Sequence, residues 1–211
     1  MPLSSLDIMF YYTGDATGPS NNYLSLGGTI GSETIPDAVP NNIFDDVTGD
    51  ESEIGDVEYR GIAVYIGTIN SGGSFDAINP KVYISGYVRA TSNHDVIYFA
   101  KSTFPLNSNT MGVCSDESSA PNESGLSWVE EGSPSATIDW GGATLQSEHW
   151  VGIWLMRSVP AGAAAFNNRA FTLVFRCETT ASPYRHPVWR EFVVSWDKLA
   201  PVKTYRVPIK V

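Results

Sequence analysis

Apolar and polar side chains alternate along much of this chain, and a period of two predicts β-strands. The clearest example ends at residue 66, where Ile62, Val64 and Ile66 alternate with Ala63 and Tyr65. No segment keeps a helical period over three turns. The predicted strands are Asp7 to Tyr12, Val57 to Ile66, Lys81 to Val88, His94 to Ala100, Ser127 to Glu130, Ala136 to Asp139, His149 to Arg157, Ala170 to Glu178, Glu191 to Trp196 and Thr204 to Val211.

Glycine, proline and asparagine separate these strands, as hairpins and short crossovers require. One connection, residues 159–168, contains an alanine run that would suit a helix, but Pro160, Gly162 and the pair Asn167-Asn168 favour a loop. Short strands with turn-forming residues between them predict an all-β fold. We expect an antiparallel β-sandwich of the Ig-like or jelly-roll type, with an N-terminal arm and a C-terminal extension.

The length of 211 residues allows one large β domain or two small ones. Because no repeat or linker is apparent, we predict one sandwich domain, residues 44–182. Residues 1–43 form the predicted arm, and residues 183–211 form an extension that completes the sheet or reaches a neighbour. The arm has too little apolar sequence to fold alone, so it lies either on its own sandwich or on a neighbouring subunit.

Composition supports a β protein and narrows the partners. Aromatic residues make up 12% of the chain and charged residues only 17%, and the net charge is -10. A nucleic-acid partner is not expected, because phosphate binding needs a basic face. Residues 1–60 carry 11 acidic side chains and one basic, whereas residues 157–211 carry 9 basic and 3 acidic. These halves are either neighbours in one fold or opposed faces of adjoining subunits.

The first residues contain neither a basic region nor a long apolar stretch, and no apolar run has the length that a bilayer requires. We therefore expect a soluble protein made in a cytoplasm, with no membrane partner. The glycosylation pattern at Asn122 has no meaning without secretion. Free buried thiols are the favoured interpretation of Cys114 and Cys177, with a disulfide as the alternative.

The segment 44–60 holds seven carboxylates and runs into an apolar strand. Oxygen ligands at alternating positions suit calcium, which makes Asp45, Asp46 and Asp50 candidate ligands. The spacing differs from the EF-hand pattern, however, since Thr48-Gly49 breaks the alternation. A solvated acidic loop, with one helical turn capped by Thr48 or Asp50, is therefore the favoured interpretation, and no cofactor is expected.

Catalytic signatures are weak throughout the chain. His94, His149 and His186 lack metal-binding spacing, and no nucleophile elbow or phosphate loop occurs. Glu130 and Glu131, with Asp139 nearby, resemble a glycosidase pair in composition. Neighbours on a strand point to opposite faces, so the pair Glu130 and Glu131 is a poor candidate for this chemistry. The sequence predicts a protein that is not an enzyme.

Aromatic residues are the best candidates for binding. Trp154 lies in an apolar segment and is expected in the core, whereas Trp140 and Trp189 lie in turn-like contexts and are expected to anchor a partner. Tryptophans and tyrosines would alternatively form the platform of a carbohydrate-binding module. The full predicted interface comprises Trp140, Trp189, Arg185, Arg190, Lys203, Arg206 and Lys210.

Three stretches resemble a pattern in the structural proteins of tailed bacteriophage particles. The first joins Ser25-Leu-Gly-Gly-Thr-Ile to Asn42-Ile-Phe-Asp-Asp-Val-Thr-Gly-Asp-Glu, and the second is Gly55-Asp-Val-Glu-Tyr-Arg. The third joins Trp154-Leu-Met-Arg-Ser-Val-Pro-Ala-Gly-Ala to Asn167-Asn-Arg-Ala-Phe-Thr-Leu. The resemblance covers about residues 25–178, without a match in 104–147. The sequence departs from it at Gly61, where a cysteine is expected, and in its C-terminal extension.

This resemblance implies a non-enzymatic, multi-copy virion component built on an Ig-like sandwich. It would be made in the host cytoplasm, and its partners would be other virion proteins and copies of itself. The resemblance leaves open whether its place is head decoration, neck, tail or baseplate.

Overall fold

The computed structural model describes residues 3–68, 75–133, 136–179 and 187–198. Eleven strands and one α-helix occur in these ranges, together with 3-10 helices at Ser5–Asp7 and Pro19–Leu24. They are β1 (Ile8–Thr13), β2 (Ile30–Thr34), α1 (Gly49–Ile54), β3 (Asp56–Ile66), β4 (Ala77–Val88), β5 (Val96–Lys101), β6 (Val129–Glu130), β7 (Thr137–Asp139), β8 (Thr144–Leu145), β9 (Trp150–Val159), β10 (Phe166–Thr179) and β11 (Pro187–Lys198).

The strands form two antiparallel sheets, which confirms the predicted β-sandwich. The first sheet has the order β2-β1-β3-β9-β5-β6. The second has the order β11-β10-β4-β7, and β8 also pairs with β4. No described helix is long and apolar enough to cross a membrane.

Alternating side chains of both sheets build the core between them. Ile62 and Leu155 point inward from the first sheet, and Leu173 and Phe175 point inward from the second. Phe10 of β1 stacks on Phe192 of β11 with ring centroids 4.8 Å apart. This contact joins the first sheet to the edge strand β11 of the second sheet. Each of these side chains is almost completely removed from water, and such burial supplies most of the stability of a domain of this size.

Nine of the ten predicted strands lie in the described residues and are present, most of them with ends shifted by one to four residues. The connection before β10 is a loop, as its proline and glycine predict. The prediction omitted β2 and β8. The β2 segment, Ile30–Thr34, has little apolar alternation, and β8 has only two residues. The predicted strand Thr204 to Val211 lies outside the described residues.

The segment predicted as an N-terminal arm lies on the protein's own sandwich. β1 is an inner strand between β2 and β3, and Tyr12 is fully buried. Ile43 and Phe44 are both in the core, so the packing has no break at the predicted boundary. Of the two alternatives predicted for residues 1–43, packing on the protein's own sandwich is therefore the one that residues 3–43 adopt.

Residues 37–47 cover half of the edge strand β11. The Asp37 carboxylate accepts a hydrogen bond from the Val193 amide (2.9 Å), and the Asp46 carboxylate accepts one from the Asp197 amide (2.9 Å). The Asn41 amide donates to the carbonyl oxygen of Ser195 (2.7 Å). Covering an edge in this way prevents that part of the strand from pairing with another chain.

The acidic segment after residue 47 folds into the short helix α1. Thr48 caps it, because its side chain accepts from the amide of Glu51 while the Glu51 carboxylate accepts from the amide of Thr48. Asp50 and Glu51 lie in the first turn, where the helix dipole favours negative charge. The helical turn considered from the sequence is thus present.

Candidate functional site

Two of the predicted interface residues lie at residues 187–191, the half of β11 that residues 37–47 do not reach. Trp189 is 53% exposed on the outer face of the second sheet. Arg190 lines a groove together with Asp37 and Phe192. Among the described residues outside β10, none forms a backbone hydrogen bond with residues 187–191. Arg185, Lys203, Arg206 and Lys210 lie outside the described residues.

Trp140 is in a different place and is only half exposed. It follows β7, packs against the core from one side and carries the Lys101 ammonium 5.7 Å from its ring centroid. The described interface candidates therefore separate into an edge pair, Trp189 with Arg190, and a distant Trp140 on the β7 side of the same sheet.

The candidate calcium ligands each have another structural role. Asp45 pairs with Arg157 (Oδ1 to Nη2, 3.2 Å), Asp46 caps the amide of Asp197, and Asp50 lies in the first turn of α1. In the described residues, the carboxylates that approach one another are instead Glu51, Asp56 and Glu58, within 4.8 Å. Glu51 is already used in the helix cap, and Glu58 is paired with arginine.

We expect the thermal stability of the protein to be indifferent to chelators. The reason is that hydrogen bonds and arginine pairs already use the carboxylates of Asp45, Asp46, Glu51 and Glu58. Differential scanning fluorimetry with EDTA and then with added calcium measures this directly. A melting temperature that falls with EDTA and recovers with calcium would contradict it, since a ligand that binds only the folded state must stabilise that state.

A cluster of buried charged groups lies between the two sheets. Its cations are Arg60, Arg157, Arg169 and Lys198, all fully buried. Its anions are the buried Glu58, Asp95 and Glu131, together with Asp45, whose side chain is 54% exposed at the rim of the cluster. We call these eight residues the ion cluster. The sequence predicted none of them as an interior site, although Arg60, Arg157 and Arg169 have the inward parity of their strands.

Arg157 holds the part of the ion cluster that belongs to the first sheet. It pairs with the Glu58 carboxylate and donates from Nη1 to the carbonyl oxygen of Asp45 (2.6 Å). Its guanidinium lies 5.0 Å from the ring centroid of Phe44 and 5.4 Å from that of Trp196. Arg60 approaches the same Glu58 carboxylate at 3.7 Å.

Arg169 and Lys198 hold the part that belongs to the second sheet. Arg169 pairs with the buried Glu131 carboxylate and lies 3.4 Å (Nε to Oδ1) from Asp95. Lys198 Nζ is 3.2 Å from the same Asp95 oxygen. The Arg169 guanidinium lies 5.2 Å from the ring of Trp196, so this one indole contacts an arginine from each sheet.

Glu58 has the most perturbed carboxyl group of the ion cluster. Burial raises its pKa from 4.5 to about 7, although the neighbouring Arg157 and Arg60 act to lower this pKa. Burial, and then the negative charge of Glu51, also raise the pKa of Asp56. Glu58, Asp95 and Glu131 are buried with the four cations, and the pairs of Arg169 and Lys198 with Asp95 join the second sheet to the first.

A second apolar cluster covers the outer face of the first sheet. It consists of Ala63, Ala100, Met111, Cys114, Trp150 and Trp154. Residues 25–28 and 111–114 lie over it, joined by hydrogen bonds from the Gly28 amide to the Gly112 carbonyl (2.8 Å) and from the Cys114 amide to the Leu26 carbonyl (2.8 Å). Trp154 is buried as predicted, but on this outer face.

Glu123 fastens the covering loop to this outer face. Its carboxylate accepts from the Trp154 indole (2.8 Å), the Thr103 amide (2.6 Å), the Ser102 hydroxyl (3.0 Å) and the Gly112 amide. One half-buried carboxylate thus satisfies donors from both sides of the loop. No pattern in the sequence identified this residue.

Gly61 is explained by the same packing. A Cβ atom there would lie 2.9 Å from the Gly27 nitrogen and 3.0 Å from its Cα, both backbone atoms. The Ser25 hydroxyl and the Gly61 amide also bond across this contact, to the Gly61 carbonyl (2.6 Å) and the Ser25 carbonyl (2.7 Å) respectively. The cysteine expected from the resemblance would have to displace the 25–28 segment.

Glu130, the last residue of β6, and Glu131, which follows the strand, differ in burial, in agreement with their predicted opposite orientations. Glu131 is buried against Arg169 and Arg89, whereas Glu130 is exposed. Asp139 pairs with Lys81 at 2.7 Å on the outer face of the second sheet. The two cysteines are free and buried, and burial raises the pKa of both thiols to about 12.

Comparison with known proteins identifies no family. No protein-family model matches the sequence, and neither does any curated protein. Among solved structures, the N-terminal domain of PorA is similar over 84% of this chain and 99% of its own, with 9% identity and a TM-score of 0.39. A family 123 glycoside hydrolase from Clostridium perfringens is similar over 75% of this chain and 23% of its own, with 15% identity and a TM-score of 0.32. Neither likeness is close enough to support an argument.

Proposed function

We propose that this protein is a non-enzymatic structural component of a tailed-phage virion, in which it contacts other virion proteins and copies of itself. The observation that carries the proposal is the position of the motifs that resemble phage structural proteins. Phe44, Asp45, Glu58, Arg157 and Arg169 come from four separate motif segments and meet in the ion cluster.

The other motif residues have equally structural positions. The Ser25-Leu-Gly-Gly segment lies against Gly61, and Trp154 lies under the same segment. Motifs whose members build the interior specify a rigid scaffold, and a rigid scaffold suits a subunit that is held in an assembly. The charge asymmetry of the sequence is partly used inside the fold, because the basic Arg157 pairs with the acidic Glu58 and Asp45.

Residues 187–191 of β11, whose outer edge no described residue pairs with, are the surface that we assign to subunit contact. Trp189 projects from it, Leu6 nearby is 56% exposed, and strand edges with free backbone groups pair readily with another chain. Tryptophan is among the residues that contribute most at protein interfaces.

Purified particles test the proposal. We expect mass spectrometry of gradient-purified virions, from the phage that carries this gene, to find the protein in several copies. Trp189→Ala should lower its amount per particle, whereas Tyr23→Ala, a 48% exposed tyrosine elsewhere, should not. A protein that stays in the soluble lysate and never sediments with particles would refute the proposal.

A further inference from the structure

One groove on the outer face of the first sheet combines aromatic and polar groups. It has a volume of about 400 Å³ and lies beside the edge strand β2, next to the part of the face that residues 25–28 and 111–114 cover. Tyr11 and Tyr65 line it, with ring centroids 5.9 Å apart at an angle of 79°. Met9, Ile30 and Glu148 complete the lining that the following argument uses.

The strand geometry explains why the two tyrosines meet. Met9 is paired directly with Tyr65, and Tyr11 with Ala63, so the tyrosines are diagonal neighbours on the same face. Gly67 lies at the end of the groove, where an added Cβ would lie 2.6 Å from Met9 Cε, the end of a flexible side chain. The pairing of β1 with β3 therefore places both tyrosines on the groove side of the sheet.

The polar groups of the groove have unused hydrogen-bonding capacity. Within the described part of the chain, the one hydrogen-bond contact of the Tyr11 hydroxyl is with the Met9 sulfur, at 3.8 Å, and a thioether is a weak acceptor. Among the described residues, none forms a hydrogen bond with the Tyr65 hydroxyl or the Glu148 carboxylate. Burial, and then the negative charges near it, chiefly Glu148, raise the pKa of Tyr65. The carboxylate is thus close to the aromatic wall.

We propose that this groove binds a carbohydrate, with a sugar ring against the tyrosines and its hydroxyls bonded to Glu148 and the phenols. A pyranose has an apolar C–H face and a polar hydroxyl edge, and the groove offers an aromatic wall and acceptors at its rim. Glu148 disfavours phosphates and other anions, whose charge it would repel. The groove lies on the first sheet, whereas Trp189 is on the second, so this site is separate from the proposed subunit contact.

Saturation-transfer difference NMR on the full chain tests the site. The probes are the methyl glycosides of glucose, galactose, mannose and N-acetylglucosamine. We expect transfer to at least one of them, and binding about tenfold weaker in Tyr65→Ala, which removes the stacking wall. Glu148→Gln keeps the size of the side chain and should also weaken binding, whereas the control Tyr23→Ala should bind like the wild type.

Two outcomes would overturn the proposal: no transfer to any of the four sugars, or transfer that Tyr65→Ala and Glu148→Gln leave unchanged. Glu148 is exposed, so Glu148→Gln remains informative if Tyr65→Ala fails to fold. A Tyr65→Ala variant that alters sedimentation instead of sugar binding would identify the groove as a contact between copies. Particle incorporation is a separate measurement, so either proposal can fail alone.

Discussion

Replacing Arg157 with methionine is expected to lower the free energy of unfolding by about 3–5 kcal/mol at pH 8. Methionine retains much of the apolar volume, so the change removes mainly the charge. Glu58, only 2% exposed, then loses the guanidinium that pairs with it most closely and keeps only the 3.7 Å contact with Arg60. A buried charge without its partner is one of the few causes of such a large effect.

The destabilisation should be smaller at pH 5, because Glu58 can then take up a proton. In the wild type its pKa is raised from 4.5 to about 7, so the folded state binds this proton more tightly than the unfolded state. The stability linked to this group is therefore complete below about pH 4.5 and is lost as the pH rises through about 7. Without Arg157 the pKa rises further, which extends the loss to higher pH.

Chemical denaturation at pH 8 and pH 5 measures the loss of unfolding free energy in Arg157→Met, and two further variants serve as comparisons. Arg176→Met changes an exposed arginine on β10 and should cost no more than about 0.5 kcal/mol. Arg157→Met combined with Glu58→Gln should recover part of the loss, because the unpaired charge is gone. If Arg157→Met behaves like Arg176→Met, or if the double variant recovers nothing, the pair that Arg157 and Glu58 form across β3 and β9 does not stabilise the fold.

Local alternation was enough to predict the sandwich from the sequence. Ile62, Val64 and Ile66 define a strand by themselves, and so do the inward residues of β9 and β10. The strand β2 was not predictable in this way, because Ile30–Thr34 is held by its hydrogen bonds to β1 and has no apolar face of its own.

The sequence pattern indicates that the arginines of the ion cluster point inward, but it does not identify their partners. Arg60, Arg157 and Arg169 each follow the parity of inward apolar neighbours, and an inward charge on a strand demands a buried partner. The partners lie far away in sequence, however: Asp45 is 112 residues from Arg157. Glu58 meets Arg157 through the register of β3 and β9, and Arg169 meets Asp95 through the packing of the two sheets; local pattern encodes neither.

Glu123 and the tyrosine groove could not be predicted from the sequence for a related reason. Five donor groups surround Glu123 only because a long loop returns over the sheet. Trp189 is exposed, but it lies within β11 and not in the turn that its proline-containing context predicted, whereas Trp140, with a similar context, is half-buried. Context alone therefore separates exposed from packed aromatics poorly in this chain.

Replacing Gly27 with alanine is expected to destabilise the protein by about 3 kcal/mol or more. Gly27 has a φ of +90°, which strains any residue with a side chain. The added Cβ would also lie 2.1 Å from the Gly112 carbonyl oxygen and 2.6 Å from the Trp154 ring. A backbone atom and a fully buried indole have little freedom to retreat, so the segment 25–28 must lift from the sheet.

Gly28 provides a matched control beside it. Its φ is +83°, so Gly28→Ala suffers a similar backbone strain, but its Cβ would meet only Val113 Cγ2 at 3.6 Å, an ordinary contact. We expect a loss of about 1 kcal/mol for Gly28→Ala, and the difference between the two variants then measures the packing term. The emission of Trp154 should shift to the red only in Gly27→Ala, as its cover loosens. Equal losses in the two variants would mean that strain alone explains the glycine at residue 27, and that the segment does not clamp Trp154.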